Sequence, residues 1–249
     1  LQKVNKNFLN RLLVELNDLN NTPKFQFERA ISPLLTIFIK DIINKKFEAR
    51  VTVTIPEFPL KKGLNNQSTN IDWLLIDETN FTLYCVELKT DNYSISNKQI
   101  ERYFAIKDIV SNKGASFLFE QINKIAPHSV RKEKYKRLLE KIDSQTIDFS
   151  VFKNFKIIYL VPDNSILNDE RVIRINLSEL PMDISTEYKE EWRKINDFLI
   201  SLYAPYKKQE NIYLRDPEED QNENEKLIEF LESIGYKMPE VIIVKKKEI

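Results

Sequence analysis

Between Lys46 and Thr90 the apolar residues change from a helical spacing to a spacing of two, and after Ser96 they change back. Side chains alternate between faces along a strand, whereas a helix gathers positions three and four apart, so the switch marks where the backbone must change conformation. "EARVTVTIPEF" alternates and is rich in β-branched residues, as a strand should be. "NIDWLLID" and "FTLYCVELKT" follow, separated by a turn around Glu78-Thr79. Three consecutive strands joined by loops predict an antiparallel meander.

The flanks are helical. Residues 3–20 carry Phe8, Leu9, Leu12, Leu13, Leu16 and Leu19 at helical spacing. Thr22-Pro23 reads as an N-cap followed by proline at the first helical position, and Ser32-Pro33 repeats it, predicting a kink or restart before "LLTIFIKDII". Ser96 to Lys113 predicts a helix closed by Gly114. "FKIIYLVP", Phe155–Pro162, reads as a buried strand and "RVIRINL" as another, before a helix carrying Tyr188, Trp192, Ile195, Phe198, Leu199 and Leu202. This order points to an α/β or α+β sandwich, and the expected fold is α/β: a central mixed sheet of about four to five strands, flanked by helices. A main domain over 1–205 is expected. An acidic linker at 206–225 and a helix–strand appendage at 226–249 follow; "RDPEEDQNENE" has six acids and one base.

Composition removes several function classes. With three glycines and neither GxGxxG nor GxxxxGK[ST], dinucleotide and P-loop chemistry are disfavoured. One cysteine, Cys85, excludes an internal disulfide framework, a Cys-rich zinc site and a four-cysteine iron–sulfur cluster; it reads as an inert core thiol. His128 is the sole histidine and falls in a loop, which disfavours His-based triads and zinc sites. The net charge is zero, so a nucleic-acid partner would need a local basic patch. No apolar run approaches the roughly 20 residues of a membrane span, and "LQKVNKNFLN" lacks the order of a signal peptide, so a cytoplasmic location is expected.

One short stretch carries the chemistry. In "LYCVELKT" Glu87 and Lys89 stand two apart and so share a strand face, in apolar surroundings where an unpartnered charge is costly. An ion pair at a sheet edge is the plain reading. The hairpin supplies a sharper one: a turn centred between Glu78 and Thr79 places Asp72 opposite Cys85 and diagonal to Glu87. Diagonal neighbours lie roughly 7–8 Å apart, a gap two inward-leaning carboxylates close around one cation. Two carboxylates with open positions suit Mg²⁺ or Mn²⁺, and an adjacent ammonium offsets charge on a phosphorus under attack.

These residues resemble the PD-(D/E)XK nuclease superfamily. "NID" (Asn70–Asp72) followed by "VELK" (Val86–Lys89) is similar to its motif, with Asn-Ile standing where a proline usually precedes the first acid. The order helix, three-strand meander, helix, strand is also similar, and the resemblance implies a core over about residues 24–162. The resemblance implies a restriction-endonuclease-like core and divalent-metal-dependent hydrolysis of DNA phosphodiesters. It implies that Asp72 and Glu87 ligate the metal, that the Leu88 carbonyl adds to the shell, and that Lys89 is catalytic. Gln99 and Tyr103 fit the QxxxY pattern of the RecB-like subgroup, and Glu28 is the candidate for an acid on the first core helix.

Each signal has a structural alternative. Ser96-x-x-Gln99 is also a capping box, Tyr103 has the spacing of a core residue, and Glu28 of a solvent-facing one. Residues 129–141 hold six bases and two acids; this reads as a solvated helix face, or as a phosphate-tracking surface with Arg131, Lys132 and Lys134, and Tyr135 for stacking. Lys61, Lys62, Lys98 and Arg102 are further nucleic-acid candidates. The alternative function is a catalytically silent nuclease-fold module that binds nucleic acid or a protein partner, the C-terminal segment being a candidate partner surface. An Asp/Glu hydrolase of sugars fits two carboxylates but not Lys89.

Overall fold

The computed structural model describes residues 2–20, 22, 25–61 and 68–203. The expected linker and appendage at 206–249 lie outside them, as does Lys62. Helices α1 (Gln2–Asn20) and α2 (Phe27–Phe47) lead into strands β1 (Val51–Lys61), β2 (Ser68–Asp77) and β3 (Thr82–Leu88). Helices α3 (Asn97–Lys113), α4 (Ser116–Ile125) and α5 (Lys132–Asp143) follow, then β4 (Asn154–Val161), β5 (Ile173–Asn176) and α6 (Lys189–Tyr203).

The strands form one open mixed sheet in the order β1-β2-β3-β4-β5. The first three are antiparallel, whereas β4 runs parallel to β3 and β5 parallel to β4. Pro56 and Pro59 fall in β1, an edge strand, where a missing N–H need not break a ladder. Two cores cover the sheet. Leu83, Cys85 and Ile157 pack with α3, α4 and Ile142 of α5 on one face. Tyr84, Val86 and Ile158 pack with α1, α2 and α6 on the other. The central strands are buried on both sides, which accounts for the unbroken apolar run of β3. Among the described residues no helix is long and apolar enough to cross a membrane.

Three local expectations need correction. Helix α2 begins at Phe27, and Gln26 occupies the N-cap position without a side-chain cap, so Thr22-Pro23 does not start it. Nor does the helix restart at Ser32-Pro33, because Pro33 lies inside it. The buried stripe Ile31, Leu35, Phe38, Ile39, Ile42 and Ile43 runs past the proline on one face, and its burial outweighs the single lost backbone bond. The exposed Thr79 and Asn80 centre the β2–β3 turn, not Glu78-Thr79: Asp77 pairs with Thr82 and Leu74 with Cys85. Asp77 accepts bonds from the N–H and side-chain amide of Asn80, and Phe81 takes a left-handed φ of 46°, which together pin a four-residue loop.

Candidate active site

The corrected turn moves β3 by two residues against β2. With Trp73 opposite Val86, the same register brings Asp72 opposite Glu87 and no longer diagonal to it. The ladder does not continue in the ordinary way there. Phe58 pairs with Ile71 and Pro56 with Trp73, leaving Glu57 to face Asp72, and Glu57 has a φ of 53°. At this point both strands change which face they present: Ile71 and Leu74, three apart, share one core while Trp73 joins the other. In β1, Ile55 and Phe58 do the same.

Carboxylates replace carbonyls at this break. Asp72 N–H donates to Glu87 Oε1 at 3.3 Å, and Leu88 N–H donates to Asp72 Oδ2 at 2.7 Å. Lys89 N–H continues onto β4 through the Leu160 carbonyl, 2.8 Å away. The side chains of Glu87 and Lys89 are thus fixed where β3 leaves the sheet, only 1% and 6% exposed.

Glu87 collects further donors from the residue that follows β3 and from α3. Lys89 Nζ lies 3.2 Å and Gln99 Nε2 3.1 Å from Oε2, while the Tyr103 hydroxyl donates to Oε1. Gln99 also donates to the Tyr103 oxygen at 2.9 Å. Residues 99 and 103 are one turn apart on α3, so one helix face delivers both. Ser96 makes no side-chain cap bond, and the Gln99 side chain turns to Glu87, which decides against the capping box. From α2, Glu28 Oε1 reaches to 3.7 Å from Lys89 Nζ.

The charges are unbalanced, since Glu28, Asp72 and Glu87 surround one ammonium. Burial first, then repulsion from Asp72, pushes Glu87 up to about 8 against the pull of Lys89 and Tyr103. Burial likewise raises Asp72, with Glu57 adding to it and the Leu88 N–H and Lys89 opposing. Glu28 is raised by burial, opposed by Lys89 and reinforced by Asp72 and Asp91. Burial lowers the Lys89 ammonium, but Glu87, Glu28 and Asp72 together hold it above its ordinary value. Such a cluster of acids around a single base is short of positive charge.

Two residues near this cluster escape sequence reasoning. Glu57 faces Asp72 with a left-handed backbone and acts on its charge, for which "IPEF" gives no signal. Tyr159, opposite Glu87 in the parallel ladder, has a buried hydroxyl with no hydrogen-bond partner among the described residues. Its ionisation is pushed up by burial and by Glu87. Its apolar run marked Tyr159 as core, and nothing in that run marks it as a neighbour of the site.

The other sequence candidates lie apart from this network. Lys61 ends β1; Lys98 is exposed and Arg102 half-buried on α3. Arg131 and Lys132 are exposed where α5 begins and Lys134 lies within it, also exposed. Tyr135 packs half-buried against the core beneath α5, so packing occupies much of its ring. His128 closes a short 3-10 turn. Cys85 is buried, and burial raises its thiol well above the ordinary range.

Among the described residues no group of three or more His, Cys, Asp or Glu side chains is arranged to hold a metal ion. Asp72 and Glu87 still suit a hard cation that takes one or two carboxylates and keeps waters and a phosphate as its other ligands. The excess of negative charge around Lys89 favours one. Comparison with known proteins returned no match to any family model, any curated protein or any solved structure.

Proposed function

We propose that the chain is a divalent-metal-dependent nuclease that hydrolyses phosphodiester bonds, with DNA as substrate, on a restriction-endonuclease-like core of the PD-(D/E)XK type. The observation that carries this reading is the buried convergence of Asp72, Glu87 and Lys89 where β3 leaves the sheet, with Glu28, Gln99 and Tyr103 closing around them. Antiparallel β1-β2-β3 followed by parallel β4 supports the fold reading.

Asp72 and Glu87 would hold Mg²⁺ or Mn²⁺, with the Leu88 carbonyl as a further oxygen donor. When bound, such an ion stabilises negative charge on a phosphoryl oxygen and lowers the pKa of a water. Gln99 and Tyr103 orient Glu87 from behind. Glu28 restrains the Lys89 ammonium, which is buried, charged and placed to offset charge on the scissile phosphate or to orient the attacking water. Exposed Lys98, Arg131, Lys132 and Lys134 would supply phosphate contacts.

One observation favours the second reading, a catalytically silent module. Tyr103, Asp72 N–H, Lys89 and Gln99 already occupy the roughly four acceptor positions of the Glu87 carboxylate. A cation therefore has to displace one donor. The test is cleavage of plasmid and linear DNA in Mg²⁺ or Mn²⁺ by the wild type and by Lys89→Ala. The nuclease reading expects cutting by the wild type and a loss of at least about a hundredfold in the variant. Equally intact DNA with both proteins favours the silent module.

A further inference from the structure

A cavity of about 410 Å³ opens beside the catalytic cluster, between the start of α2 and the loop that follows Lys89. Its lining includes Phe25, Gln26, Glu28 and Arg29 on one side and Asp91 and Ser94 on the other. Glu28 belongs to both places, since it lines the cavity and its carboxylate stands 3.7 Å from the Lys89 ammonium. An occupant of the cavity therefore lies one residue, Glu28, away from the Lys89 ammonium.

The wall at residues 91–94 is braced. Asp91 accepts the Ser94 N–H at 2.8 Å and the Ser94 hydroxyl at 3.1 Å. Asn92 accepts the Ile166 N–H at 3.0 Å and donates to the Asn164 carbonyl at 3.2 Å, tying the loop to the segment after β4. Between these anchors Tyr93 is 100% exposed. The fold gains nothing from burying this ring, yet the loop that carries it is held at both sides.

The lining combines an aromatic ring with amide, carboxylate, hydroxyl and guanidinium groups, and its volume falls within the roughly 300–1,000 Å³ of small-ligand sites. Unpaired nucleobases are recognised by a flat apolar contact together with hydrogen bonds to the base edge. A base in a duplex is stacked and paired and cannot enter such a recess. We propose that this cavity takes one unpaired nucleobase flanking the scissile phosphate, with Tyr93 stacking on its neighbour, so that the protein selects single-stranded or locally opened DNA. The proposal rests on the nuclease reading for the position of the phosphate.

The test reads binding and cleavage separately. The probe is a short fluorescein-labelled single-stranded DNA, intact or with one abasic position moved along it, alongside a blunt duplex of the same length. Anisotropy is measured with the full chain in a chelator, for the wild type, Tyr93→Ala and Gln26→Trp. Gln26 is exposed and makes no cap bond, so the tryptophan fills the cavity without removing a structural contact. Expected are roughly tenfold tighter binding of single strand than duplex, a loss of similar size at one abasic position, and the same loss in both variants. In Gln26→Trp the abasic position should no longer matter. Abasic strands that bind as the intact strand does, or variants that bind like the wild type, overturn the cavity proposal, as does a wild type that binds neither DNA. Binding as expected without cutting in Mn²⁺ overturns the nuclease reading and leaves the cavity standing.

Discussion

The main-chain N–H of Asp72 donates to the Glu87 side chain across 3.3 Å, a side-chain bond set within the pairing of two strands. Asp72 returns the interaction one residue on, its carboxylate accepting the Leu88 N–H at 2.7 Å. Two acids are thereby built into the ladder itself. Buried polar groups are tolerated when each is hydrogen-bonded, and here the bonds that satisfy the sheet also hold the two carboxylates side by side.

Stability of the metal-free protein should fall as pH rises through the range where Glu87 titrates. Its folded value, about 8, lies above its ordinary 4.5. The folded form keeps a proton that the unfolded chain has already released, so Glu87 costs nothing below the lower value, progressively more between the two, and a constant amount above the upper one. Asp72 and Glu28, also raised, act in the same direction. Melting temperatures in a chelator should decline over this window for the wild type and decline less for Glu87→Gln, whose amide does not titrate.

Two tyrosines that flank Glu87 should respond oppositely to loss of their hydroxyls. Tyr103→Phe takes a donor from a buried carboxylate and should cost about 1–3 kcal/mol in urea unfolding. Tyr159→Phe removes a buried hydroxyl that has no partner among the described residues and should be neutral or stabilising. Combining Tyr103→Phe with Glu87→Gln should shrink its cost, because the two groups share one bond.

Gly114→Ala should destabilise the protein by more than about 1 kcal/mol, read as a shift in the denaturation midpoint. Its φ is 79°, and an added Cβ would meet the Ser150 carbonyl oxygen at 2.2 Å. Backbone strain and backbone collision coincide here, so no side-chain rotation relieves the change.

Much of the architecture was legible because its signal is periodic. The three meander strands, β4, β5, α3 and α6 follow from apolar spacing, and Gly114 marks the end of α3 as expected. The details that went astray depend on contacts between distant residues. The hairpin register turned on Asn80 bonding back to Asp77, and a symmetric turn carries no trace of that. Proline at position 33 reads as a breaker until the buried stripe on both sides of it is weighed. Helix α4, Ser116–Ile125, is weakly signalled although Leu118, Phe119, Ile122 and Ile125 are helically spaced, because the stretch is short and continues closely from α3. The site depends little on the hairpin register. Glu87 and Lys89 are linked by strand parity alone, and Asp72 sits on the neighbouring strand within reach in either register.

Calorimetric titration of Mn²⁺ into the wild type and into Asp72→Asn tests the account most directly. One site per chain is predicted for the wild type, with affinity rising as pH approaches 8, where Glu87 sheds its proton, and with no site in the variant. A wild type that takes up no ion, or an Asp72→Asn protein that binds it equally well, would contradict the shared role of Asp72 and Glu87.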